Sequence, residues 1–275
     1  MKRLGIILVI ILLTASLSGC IGNSHEETQT PPSPSTTSTT GASHTSTSST
    51  ERPINDIEGA KSSLESVKQF TYELKTALSM NISLQTSGIS QNSSIKLIVL
   101  EKGYLDFESK EAWINTTTVS LPDNVSVSLT QVVKGGKTYI KTNLGILNVS
   151  NEENPVWEYN AVSLARKYLQ QVPLESESGE ELKITYILDR EDVKGLATPY
   201  IAIDNGTGIE VKKGRITFFF RDGSLSEVEI EYILVTRTPI EDPVLGSGEI
   251  IQEVEGRSTI KITSFNKKVE VSPPT

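Results

Sequence analysis

The chain has 275 residues, with 26 basic against 34 acidic side chains and a formal charge of −8. That balance argues against nucleic acid or anionic lipid as a broad electrostatic partner. One cysteine excludes an internal disulfide, and the only histidines, His25 and His44, fall in a low-complexity stretch near the N-terminus.

The first residues read as an export signal. Lys2 and Arg3 give a positive start, Leu4 to Leu13 is almost purely aliphatic, and small residues precede Cys20. The apolar run is short for a bilayer core of roughly 30 Å, so a secretory signal over residues 1–19 is favoured over a transmembrane helix. Leu17-Ser18-Gly19-Cys20 resembles the lipobox of prokaryotic lipoproteins, in which the thiol is alkylated by a lipid and the chain is cut before it. An ordinary secretory signal with an incidental cysteine is the alternative, but an exposed lone thiol outside the cell is prone to oxidation and mispairing. Lipid attachment at Cys20 would anchor the chain stably at the membrane.

A stalk is expected over residues 20–54. Residues 28–50 contain sixteen Ser or Thr, several Pro and almost nothing large and apolar, a composition that cannot offset its own ordering entropy. Extended at about 3 Å per residue, such a tether reaches up to roughly 100 Å. Loss of Lys2 and Arg3 leaves 24 basic against 34 acidic residues, so the mature chain carries −10.

Residues 55–275 then read as a single β-rich domain. Asn55 to Gln69 has helical spacing, with Ile57, Ala60, Leu64 and Val67 on one face and Asn55 and Glu58 placed as a capping box. Tyr72, Leu74, Leu78, Met80, Ile82 and Leu84 alternate with polar residues as a long strand with one buried face. Short strands are expected at residues 95–100, 104–107, 112–119 and 125–133, with Gly135-Gly136 turning the chain toward Tyr139-Ile140.

A second helix is expected over Ala161 to Val172, stopped by Pro173. Residues 182–188 and 199–203 return to strand character, and Asp204-Asn205-Gly206 is a turn signal. Ile216, Phe218 and Phe220 alternate with Thr217 and Phe219 before Asp222-Gly223, and Val228, Ile230, Tyr232 and Leu234 oppose Glu227, Glu229 and Glu231. After a loop around Pro239 and Pro243, residues 250–254 and 260–262 complete a meander. A charged outer face with an apolar inner one is what an antiparallel sheet wetted on one side requires.

These elements together resemble the LolA/LppX-type lipoprotein superfamily. The resemblance is carried by the lipobox and stalk, the helix-to-strand join at Val67 to Tyr72, the hairpin from Val133 to Ile140, and the closing run from Arg257 to Pro274. It implies a mainly β (α+β) fold: a strongly curved antiparallel sheet or incomplete β-barrel with two covering helices. It also implies carriage of a lipid-like molecule in the sheet's concave face. The residues expected to line such a cavity are Tyr72, Leu74, Leu78, Phe218, Phe220, Tyr232 and Leu234. No catalytic motif comes with it.

Nor do the residues themselves supply one. The domain has no His or Cys for a zinc site, a Ser-His-Asp triad or a thiol nucleophile. Gly136-Lys137-Thr138 resembles the end of a phosphate-binding loop, but Gln131 stands where the first glycine is needed. Asp189, Glu191, Asp192 and Gly195 miss the calcium-loop spacing. Glu227, Glu229 and Glu231, spaced by two, read as a solvated strand face rather than glycosidase carboxylates. No enzyme, cofactor or metal is therefore expected. Six of thirteen asparagines, Asn81, Asn92, Asn115, Asn124, Asn148 and Asn205, begin Asn-X-Ser/Thr sequons. That frequency points to a surface glycoprotein of the kind archaeal cells export.

The reading is thus a lipid-anchored protein facing the outside of a prokaryotic, archaeal-type cell membrane. It either binds a hydrophobic molecule or serves as a non-catalytic structural or interaction module with a packed core. Cys20→Ser is expected to release the protein from membranes, because stalk and acidic domain offer no other hydrophobic attachment. Fractionation after a salt wash checks this; a variant that still sediments with membranes contradicts the anchor.

Overall fold

A computed structural model describes residues 56–86, 90–142, 145–150, 154–201, 203, 206–242 and 246–273. The signal, Cys20, the stalk, Asn55, Asn205 and Pro243 lie outside the described residues, as does the side chain of Asn148. Helix α1 (Ile57–Glu65) is followed by strands β1 (Gln69–Thr86), β2 (Ser90–Asp106), β3 (Glu111–Leu121), β4 (Val125–Lys134), β5 (Lys137–Thr142) and β6 (Gly145–Ser150). A 3-10 turn (Pro155–Trp157) and helix α2 (Ala161–Tyr168) lead to β7 (Glu175–Ser178) and β8 (Glu181–Ile187). Helix α3 (Arg190–Ala197) precedes β9 (Gly208–Arg221), β10 (Ser224–Asp242) and β11 (Gly246–Phe265).

The strands form one antiparallel sheet of eleven, in the order β6-β5-β4-β3-β2-β1-β11-β10-β9-β8-β7. Two meanders therefore run outward from the centre, where the first and last strands pair from Phe70↔Phe265 to Thr86↔Gly248. The segment after β6 must travel from one sheet edge to the other before it enters β7. It does so through the 3-10 turn and α2, whose buried residues join the same core as the sheet. The fold is mainly β: a curved sheet that the described edge strands do not close into a barrel, with helices over one face.

Period-two burial along the strands defines that face. Phe70, Tyr72, Thr76, Leu78 and Met80 are buried on β1, and Ile216, Phe218, Phe220, Val228, Ile230, Tyr232 and Leu234 on β9 and β10. They share one continuous core with Ala60 and Leu64 of α1, Val162, Leu164, Ala165 and Tyr168 of α2 and Val193 and Ala197 of α3. The opposite, convex face carries cross-strand ion pairs, including Glu73–Lys102 and Glu231–Lys213 at 2.6 Å and Glu227–Lys261 at 3.8 Å. Exposed pairs of this kind contribute at most about 1 kcal/mol each, and they set strand register more than total stability.

Part of the convex face is apolar. Tyr104 and Val132 are buried there, with Trp113 and Tyr139 packed against them, by Val271 of the C-terminal segment. Lys134 Nζ donates to the Val271 carbonyl, holding that segment in place.

Several expected elements change on folding. Asp56, not the Asn55/Glu58 pair, caps α1, accepting from the Gly59 N–H at 2.7 Å, while Glu58 pairs with Lys61. The helix ends at Glu65, short of the expected Gln69, because Asn266 claims the join: its side chain accepts from the Lys68 N–H and donates to the Ser66 carbonyl. Helix α2 ends at Tyr168, leaving Val172 92% exposed rather than on the apolar face; Leu174 N–H donates to the Thr185 carbonyl to start the next hairpin.

The strand expected at residues 199–203 is absent. Helix α3 ends there instead, with the Tyr200 and Ile201 N–H groups returning to the Ala197 carbonyl. Three covering helices thus replace the expected two. Pro239 lies within β10, paired with Glu249, rather than in a loop. The short strands expected at 95–100 and 104–107, and at 250–254 and 260–262, are single long strands β2 and β11. Gly135 and Gly136 take positive φ in a tight β4–β5 turn, as Asp222 and Gly223 do between β9 and β10.

Phe218→Ala is expected to cost about 3–5 kcal/mol, since the side chain is fully buried against Tyr168 and Tyr186. Glu229→Ala, on the exposed face, should change little. Urea midpoints check both; equal losses would mean the faces are assigned the wrong way round.

Candidate functional site

All seven residues expected to line a cavity lie on the concave side or its rim. Phe218, Phe220 and Leu234 are completely buried, Leu78 and Tyr232 are 2% exposed, Tyr72 is 7% exposed and Leu74 is partly exposed. Six of them therefore meet one another and the helices, filling the interior beneath α1 rather than lining a gap there. The expected gap is closed because α2 and α3 add Tyr168, Leu164, Val193 and Ala197 to the same space.

The accessible part of the concave face lies toward β1–β5. Leu74 pairs across β1 and β2 with Glu101, Glu101 with Thr116, Thr116 with Leu129 and Leu129 with Thr142. Every member of this cross-strand row is partly exposed. The flanking rows are closed near the centre: Tyr72, Gly103 and Ile114 on one side and Thr76 and Val99 on the other are buried. Four interstrand steps of about 4.8 Å make the row roughly 19 Å long. At its β4–β5 end lies a half-open pocket of about 500 Å³ lined by residues 126–130 with Lys141 and Thr142, of which Val127, Leu129 and Thr142 share the concave register.

Near the sheet centre the row ends in polar groups. Tyr72 Oη donates to Glu101 Oε1 at 2.6 Å and Thr116 Oγ1 donates to Glu101 Oε2 at 2.8 Å. Burial pushes the Glu101 carboxyl above the usual carboxylate range, against the two hydroxyl hydrogen bonds, which favour the ionised form. Burial likewise raises Tyr72 well above its ordinary value, followed by the nearby Glu101 charge. Tyr200 lies within electrostatic reach of Tyr72, Glu101 and Tyr232, and its hydroxyl shares a hydrogen bond with Thr76, which in turn meets Ser258 at 2.8 Å. The Tyr232 hydroxyl is buried with no hydrogen-bond partner. So is that of Tyr186, which burial pushes up to about 12.

Two glycines make room for these rings. A Cβ on Gly103 would lie 2.3 Å from the Tyr72 ring, and one on Gly256 would lie 2.3 Å from the Tyr232 ring. The tyrosines therefore lie flat along the sheet, with their hydroxyls directed over it.

Other residues singled out in the sequence have structural places. Asp189 caps α3, accepting from the Asp192 N–H, and Lys167 bridges Asp189 and Asp192 while Tyr168 Oη donates to the buried Asp192. Gly195 is required by the Tyr159 ring, which a Cβ would meet at 2.0 Å. Among the sequons, Asn81, Asn92, Asn115 and Asn124 are exposed. Glu101 and Tyr200 were not singled out in the sequence. A carboxylate at an inward position of the β2 alternation is the one signal that marks the first.

No protein-family model matches this sequence, and no curated protein does. Among solved structures, LprF from Mycobacterium bovis is similar at 9% identity, over 79% of this chain and 94% of that one, with a TM-score of 0.34. A β-barrel-like protein of domain of unknown function DUF1849 from Brucella abortus is similar at 9% identity, over 70% and 98%, with a TM-score of 0.23. A DUF1329 family protein from Desulfovibrio piger gives 8%, over 78% and 93%, with a TM-score of 0.23. At scores of this size the likenesses say nothing of what this chain binds.

Glu101 is harder to ionise folded than unfolded, so between the ordinary and the raised pKa the folded chain binds more protons. Its contribution is most favourable below the ordinary value and is lost as pH rises through that window. Glu101→Gln removes this loss. Denaturant midpoints at about pH 4 and about pH 7 should show the variant gaining on the parent at the higher pH; a parallel shift at both contradicts the burial effect.

Proposed function

We propose that the protein is an extracytoplasmic, non-catalytic lipoprotein, tethered through Cys20 to the outer side of a prokaryotic membrane, that binds a hydrophobic, lipid-like molecule on its concave face. The observation that carries this reading is the partly exposed row Leu74, Glu101, Thr116, Leu129 and Thr142, which ends beside a half-open pocket of about 500 Å³. Apolar side chains such as Leu74 and Leu129 with a few placed polar groups between them are the usual chemistry of such sites. A lipobox at the end of a long stalk supports the nature of the ligand, because it would keep the domain beside a bilayer. The resemblance to LolA/LppX-type lipoproteins belongs to the same proposal.

The complete burial of Phe218, Phe220 and Leu234 favours a second reading, a structural or interaction module with a filled interior. Native mass spectrometry of the purified chain separates the two. An adduct on the order of several hundred daltons, lost on activation, is expected of a carrier. Bare-chain mass alone, in preparations never exposed to detergent, counts against binding and for the module.

A further inference from the structure

By strand register, Glu101 lies on the concave face, and no other charged side chain of the described strands shares its cross-strand row or the two rows beside it. Its two carboxylate oxygens receive one hydroxyl each, from Tyr72 and Thr116, and no lysine or arginine among the described residues forms an ion pair with it. A carboxylate in such surroundings is normally matched by a cation. Around it stand three tyrosines: Tyr72, Tyr200 and, beyond Tyr200, Tyr232. The Tyr232 side chain is 2% exposed, and its hydroxyl is left without a partner on the same inner face. Aromatic faces beside a carboxylate are the chemistry that recognises an ammonium group, through cation–π attraction and a direct charge pair. Lys, Arg or His could fill that role, but none stands in these rows of the described strands.

We infer that Glu101, with Tyr72 and Tyr200 as walls and Tyr232 as a free hydroxyl, forms an internal site for the ammonium group of an amphiphilic ligand whose apolar part lies along the row toward Leu129. This inference rests on the concave-face reading and adds the class of headgroup to it. The partial exposure of Glu101, Thr116 and Leu129 keeps the carboxylate in line with the cavity at β4 and β5, so a chain entering there reaches it along the strand-crossing direction. The hydroxyls of Tyr72 and Thr116 orient the carboxylate, one at each oxygen, and leave each oxygen with further acceptor capacity.

The test is isothermal titration calorimetry of the purified chain with octylammonium, octanol and octanoate, which share a tail and differ in headgroup. Octylammonium is expected to bind at least about ten-fold more tightly than the other two, near 1.4 kcal/mol. Glu101→Gln should bring it to the affinity of octanol while leaving octanol within about two-fold. Equal binding of all three, unmoved by Glu101→Gln, overturns the ammonium site but leaves the concave-face reading standing. A preference for octanoate overturns it as well. Binding of none removes both. Should Glu101→Gln fail to fold, Tyr200→Leu, at a partly exposed position, tests the same site. It is expected to weaken octylammonium several-fold and spare octanol, and no change contradicts the proposal.

Discussion

Pairing of β1 with β11 is the constraint on which the rest of the structure depends. The two strands lie at opposite ends of the folded chain, yet they sit side by side at the centre of the sheet from Phe70↔Phe265 to Thr86↔Gly248. Everything else is added outward from that ladder as two meanders, each strand pairing with its sequence neighbour. The loop-closure entropy of joining residues nearly two hundred apart is met once, at this ladder, and the remaining pairings are local. Curvature then follows from strand twist over eleven strands, and the crossover from β6 to β7 has to pass through the concavity to reach the far edge.

That crossover sets how the interior is divided. Helices α1 and α2 are tied by Arg166, whose guanidinium donates to the Leu64 and Val67 carbonyls at the end of α1 and lies 4.9 Å over the Phe107 ring. A cation at the C-terminal end of a helix satisfies carbonyls that have no partner within it. Helices α2 and α3 are tied by Lys167 across Asp189 and Asp192. The three helices thus act as one layer, and it fills the concavity where Phe218, Phe220 and Leu234 point inward. On the β1–β5 wing the inner row stays partly open, and the Glu101 carboxylate is found there.

Much of this was legible in the sequence, and the failures share a cause. Period-two alternation gave the faces of β1, β9 and β10 correctly, because one face is dry and the other wet along each strand. The sequence divided β2 near Gly103 and β11 near Gly256, where glycine normally weakens a strand. Helix α3, which holds Gly195 in its interior, was not expected, and glycine there lowers helix propensity. In all three places the glycine is there because a tyrosine ring from another element lies against it: Tyr72, Tyr232 and Tyr159. A contact between residues distant in sequence leaves no local pattern, so these elements read as breaks. Glu101 was passed over for a related reason. Its meaning comes from being surrounded, and only the register with Leu74 and Thr116 shows what surrounds it.

The central position of β1 also decides how the domain bears a load. A pull arriving through the residues before Asp56 reaches α1 and then one end of β1, which is bonded along nearly its full length to β2 on one side and β11 on the other. Strands pulled along their axis must break many backbone bonds together, whereas an edge strand peels away one bond at a time. The edges β6 and β7 are remote from that path. A domain held at the end of a stalk would meet drag and collision through its strongest ladders, with resistance set by an unfolding rate rather than by equilibrium stability.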